Sequence, residues 1–262
     1  MPQTATVISA QATRHERVDR WFYISVAVAI ILLNALGFGP SILNPSERIA
    51  PLPLTPVVTV HAIVASAWLL FFLTQATLVA TRRTAMHRRL GIAGGVLAAA
   101  FVVVATLTTM ESARRGFDLS GDLLRITPPA RRAVAGRWLL PLISNIPMFA
   151  VFVGAALFFR RRPAIHKRLM LLATVGPQLT GPPVIHAAGH WPALLPWAPA
   201  IALVTSAGFL SASAIHDRIS EGRIHPVSIW GPLLLIVWDI VSEGLIGQSA
   251  AWDEFAAWMV KV

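Results

Sequence analysis

"PVVTVHAIVASAWLLFFLTQATLVA", residues 56–80, decides the fold. It carries no carboxylate, lysine or arginine, and its one ionisable side chain is His61. About 20 predominantly apolar residues suffice for a helix to cross the hydrocarbon of a bilayer. In that medium the backbone must satisfy its own hydrogen bonds, which a helix does. The segment therefore reads as a membrane span. Six further runs of the same kind follow on either side, at about 21–39, 90–110, 138–159, 169–188, 194–215 and 227–247. The 262 residues are 55% hydrophobic and only 13% charged, about half the charge of an ordinary soluble domain. The expectation is an all-α polytopic transmembrane helical bundle of seven spans, with residues 1–262 forming a single domain. The longest connection, Glu111 to Arg137, is polar and too short to be a second domain.

The net charge of +10 does not point to nucleic acid, because the basic residues punctuate the spans instead of forming one face. Fourteen Lys and Arg fall on the side that holds the N-terminus, at Arg14–Arg20, Arg82–Arg89, Arg160–Arg168, Arg218 and Arg223. Eight fall on the other side, six of them in one long loop. The positive-inside rule then places the N-terminus in the cytoplasm, and seven spans place the C-terminus outside a bacterial cytoplasmic (inner) membrane. Arg14, Arg17 and Arg20 resemble a signal-peptide start, but the run after them is long and lacks a small-residue cleavage pattern, so it reads as a retained helix. The tail "AWDEFAAWMVKV" (251–262) spaces Trp252, Phe255 and Trp258 as an interfacial helix with an aromatic belt. With no cysteine, disulfides, iron–sulfur clusters and thiolate zinc sites are excluded.

Two junctions look alike. "ATRRTAMHRRLGIAG" (80–94) and "FRRRPAIHKRLMLLA" (159–173) each set basic residues, then a histidine, two more bases and Leu at the start of a span. The similarity fades away from the junctions, since Leu140 stands where His61 would recur. Four histidines, His15, His87, His166 and His225, open the four spans that run outward, and so lie on the inner face. Anchoring to anionic lipid headgroups accounts for such residues; a haem or metal site on that face is the other reading. At these junctions and at "GRIHPVSIWG" the sequence resembles a set of uncharacterised bacterial multi-pass membrane proteins whose helices start His-Arg-x-Leu-Gly. Trp68, Gln75, His87, Gly91, His166 and Pro226 carry the resemblance, which covers His61 to Ala100, Phe158 to Ala173 and Gly222 to Gly231. It implies the fold and topology and transfers no activity.

Ionisable residues inside a span are costly, so each is a candidate site residue. Counted at 1.5 Å per residue, His61, His186, His190, Asp239 and Glu243 all fall in the outer half of the bundle. His186 and His190 share a helix face at i, i+4, as do Asp239 and Glu243. Together with His61 they supply ligand types that zinc or non-haem iron accepts. The fifth run is broken by Gly176-Pro177 and by Gly181-Pro182-Pro183, and broken helices at membrane depth line cavities. Gln178, Thr180 and Asn145 would offer polar groups there. The bland account makes His190 a hydrated surface residue beside Trp191-Pro192, and pairs Asp239 with His61 or His186 without any metal.

Three functions stay open at this point. In the first, a metal held by His61, His186, His190 and Asp239 activates water and Glu243 is the general base of a membrane hydrolase or oxidoreductase. The ceramidase and adiponectin-receptor hydrolases are similar in span number, but their His-x-x-x-His pair belongs to the last span. In the second, His61 and His186 ligate haem b axially in an electron carrier. In the third, the chain is a non-catalytic transporter, lipid-binding protein or accessory subunit among partner subunits of a larger membrane complex. Retinal lacks the intramembrane lysine it needs, and P-loop, Rossmann and serine-triad patterns are absent.

Overall fold

The computed structural model describes residues 2–44, 54–114, 132–176 and 182–259. Among them there is no strand. The helices are α1 (Pro2–Leu43), α2 (Pro56–Ala80), α3 (Thr84–Arg114), α4 (Arg132–Phe158), α5 (Pro163–Val175), α6 (Pro182–His190), α7 (Ala198–Ser220), α8 (Pro226–Asp239) and α9 (Ala250–Met259). A 3₁₀ segment, Pro192–Trp197, leads into α7, and a π-helical segment, Ile240–Ile246, continues α8.

Proline sets several of these starts. Pro56, Pro163 and Pro226 stand in the first turn, where the missing N–H would be unpaired in any case. The Thr55 hydroxyl accepts from the Val58 N–H at 3.5 Å, and His225 Nδ1 accepts from the Val227 N–H at 3.2 Å. Between α2 and α3 the chain reverses in three residues. Arg82 takes a left-handed φ of 62°, and the Arg83 N–H donates to the Leu78 carbonyl at 2.8 Å.

Among the described residues six helices are long and apolar enough to cross a membrane: Trp21–Leu43, Pro56–Ala80, Thr84–Arg114, Leu139–Phe158, Ala198–Ser220 and Pro226–Ile246. The chain is thus built as a multi-pass integral membrane protein. The seventh expected run, 169–188, is not one helix. It is split between α5, of 13 residues, and α6, of nine. The glycine–proline breaks explain this, since each proline removes a backbone donor. Gln178 and Thr180, between the breaks, lie outside the described residues, as does most of the Glu111–Arg137 connection. The run expected at 194–215 starts late for a similar reason, as the proline-containing 3₁₀ segment occupies its first residues. In the last span, Asp239 closes the regular helix and Glu243 lies in the π segment, where the Gly247 N–H reaches back five residues to Ser242 at 2.8 Å.

The core gathers Trp68 of α2, Ala98 of α3, Phe149, Phe152 and Val153 of α4, Leu169 and Leu172 of α5, and Leu235 of α8. Outward, Ile92, Leu203, Val204 and Trp230 are among many exposed apolar side chains, as expected where lipid is the solvent. Helix α6 lies tightly on α1: a Cβ at Gly37 would sit 2.3 Å from the Pro183 carbonyl oxygen. At the far end of α3, the tail helix α9 tucks Trp252, Ala256 and Met259 against Ala113, Leu139 and Leu140.

Candidate functional site

The residues expected in the outer half go to different neighbours. His61 on α2 faces Phe101 of α3, ring centroids 5.9 Å apart. His186 and His190 on α6 turn to α1, where His186 lies 4.6 Å from the Phe38 ring and His190 Nε2 is 2.7 Å from the Ser41 hydroxyl. Asp239 is half-buried at the end of α8, and Glu243 is exposed. Among the described residues no three His, Asp or Glu side chains stand together as a metal-holding group. The close α1–α6 packing is the physical cause, because it takes both α6 histidines to α1. Asn145, another expected contributor, donates to the Pro141 carbonyl of its own helix at 2.9 Å.

A dense polar network lies instead at the opposite, basic end of the bundle. Arg168 of α5 and Asp217 of α7 are both fully buried. Arg168 Nε donates to both Asp217 carboxylate oxygens at 3.1 Å, and its Nη2 donates to Oδ1 as well. The same guanidinium reaches Glu221 at 2.7 Å and the Ala164 carbonyl at 2.6 Å. Asp217 Oδ2 also accepts from the Ser228 hydroxyl at 2.6 Å and from the His225 N–H at 3.0 Å. The Ser228 proton being committed, its oxygen accepts from Ser213 at 2.9 Å. This ties α5, α7 and the start of α8 into one unit. Burial and the Arg168 charge hold His225 below the ordinary imidazole pKa, consistent with its role as a neutral acceptor at the α8 cap.

The repeated histidines meet at this end. His87 opens α3 and His166 opens α5; helix α4 packs on both helices, and the two rings lie 6.3 Å apart, centroid to centroid, at 76°. His166 Nδ1 is 2.8 Å from the Ala156 carbonyl, which can only accept, so Nδ1 carries a hydrogen and Nε2 is the nitrogen left for another partner. His87 Nδ1 is buried with no hydrogen-bond partner among the described residues. One turn beyond His87, a Cβ at Gly91 would meet no atom within 4 Å. Neither junction, 80–94 or 159–173, contains a carboxylate, whereas both are rich in arginine.

A cavity of about 390 Å³ opens between α3, α4 and α9, lined by Thr106, Met110, Ile143, Pro147, Phe255 and Trp258. The Thr106 hydroxyl donates to its own helix, so no polar group converges on the cavity. No protein-family model, curated protein or solved structure matches the chain.

Proposed function

We propose that this integral membrane protein is a haem-b electron carrier of the bacterial cytoplasmic membrane, with His87 and His166 as the axial ligands and the basic end inside. The observation that carries the reading is the spacing of those two rings. Imidazoles that share one metal in line, each nitrogen about 2.0–2.1 Å from it, have centroids roughly 6 Å apart, and these lie at 6.3 Å. His166 is oriented as a metal ligand needs, its Nδ1 held by a carbonyl behind it and its Nε2 left for the metal.

Charge favours haem over a bare dication. Arg83, Arg88, Arg89 and Arg160–Arg162 would repel a divalent ion, but they suit the two carboxylates of haem. One turn from His87, the Gly91 position is unobstructed to 4 Å, so no side chain crowds that face of α3. Two axial histidines close both open positions on iron, which fits electron transfer and not chemistry on a bound substrate. The ligands proposed here differ from the His61 and His186 expected from depth, which turn to separate neighbours. The zinc or iron hydrolase with Glu243 as base has no assembled ligand set to rest on among the described residues.

The test is a reduced-minus-oxidised visible spectrum of the detergent-purified protein after expression with haem supplied. A Soret band near one haem per chain is expected, falling at least tenfold in both His87→Ala and His166→Ala but not in His186→Ala. An absent band, or one that survives both substitutions, overturns the reading.

A further inference from the structure

Helix α2 carries a feature that electron transfer alone does not use. His61, Trp68 and Gln75 follow one another at seven-residue steps, so they form a single stripe about 21 Å long, most of the way across hydrocarbon. Each presents a buried polar atom with no hydrogen-bond partner among the described residues: His61 Nδ1, Trp68 Nε1, and both Oε1 and Nε2 of Gln75. The threonines of the helix behave differently. Thr59, Thr74 and Thr77 each donate to the carbonyl four residues back, at 2.8–3.1 Å. The buried unmatched groups of α2 are thus confined to one stripe, and that stripe faces inward. Trp68 is only 4% exposed and meets Phe149 edge-on at 5.0 Å, while His61 faces Phe101.

A buried polar group without a partner costs about 2–7 kcal/mol, and lipid offers it none. Water would resolve the cost, since buried waters bond to polar groups that are otherwise unsatisfied. Successive stripe residues are about 10 Å apart along the axis, a gap that a short run of waters bridges. At its basic end the stripe stops at Gln75, five residues before the end of α2 at Ala80.

We infer that α2 lines a hydrated proton path running from His61, past Trp68, to Gln75. Protons move along it by exchange between hydrogen-bonded waters. His61 can take up and release a proton. Trp68, a donor only, and Gln75, a donor and acceptor, orient the waters between. No bond other than O–H and N–H is made or broken. The path stands on α2 and not on the haem, so it holds or fails separately from the electron-carrier reading.

The experiment is proton uptake by liposomes containing the purified full-length protein and a trapped pH dye, driven by a potassium diffusion potential. Wild-type protein is expected to raise uptake well above protein-free liposomes. Gln75→Leu and His61→Phe should each reduce the increment at least tenfold, while Thr74→Val, off the stripe, leaves it unchanged. Gln75→Glu keeps a polar group at that point and should retain uptake, which separates a lost path from a lost fold. Uptake equal to that of empty liposomes, or unchanged by both apolar substitutions, overturns the proposal. A Soret band measured on the same samples tests the electron carrier independently of either result.

Discussion

Arg168 and Asp217 are worth most to this structure as a pair. Burying one charge alone is expensive, so removing a single partner should cost about 3–5 kcal/mol, whereas replacing both by apolar residues is often neutral. Asp217→Asn is therefore expected to lower the unfolding temperature in detergent strongly, and the double substitution Arg168→Met with Asp217→Leu to recover most of the loss. If the double variant is as unstable as the single, the pair is not acting as a closed ionic unit. His225 gives a second residue-scale expectation. Its folded pKa is depressed, so its contribution to stability is present above the ordinary imidazole value of about 6.5 and is lost as pH falls below it through the folded value. Melting curves between pH 8 and pH 5 should show this loss in the wild type and a shallower one in His225→Asn, which still caps α8 without titrating there. None of these roles was legible in the sequence. Arg168 looks like Arg160, Arg161 and Arg162, and only the packing of α5 on α7 separates a buried guanidinium from a headgroup anchor.

At the scale of elements, length and hydropathy carried most of the reading and proline limited it. Helix α2 keeps the bounds 56–80 read from its apolar run, because nothing in it interrupts the backbone ladder. The 169–188 run kept its composition but lost its continuity at Gly176-Pro177 and Gly181-Pro182-Pro183. That break has a consequence for the metal set read from depth. Depth says how far along the axis a residue lies, not which neighbour it turns to, and α6 turns His186 and His190 to α1. Gly37 permits this contact, since any larger residue meets the Pro183 backbone. Gly37→Leu is expected to displace α6 and destabilise the protein by more than 1 kcal/mol, the usual range for overpacking being about 1–3 kcal/mol. A variant that melts within a degree of wild type would show that α6 does not depend on this close approach.

Over the whole molecule, the bundle has two chemically different ends. One holds His186, His190 and the tail helix; the other holds the Arg168–Asp217 network and the paired histidines. The repeated His-basic-basic-Leu junctions were visible in the sequence, but their approach was not, because it depends on α4 packing against both α3 and α5. Electron paramagnetic resonance of the oxidised, haem-loaded protein tests the central claim most directly. A low-spin ferric signal is predicted, as two histidine nitrogens holding the iron would give, abolished in His87→Ala and in His166→Ala. A high-spin signal, or a low-spin one that survives both substitutions, would contradict the assignment of these two histidines as the ligands.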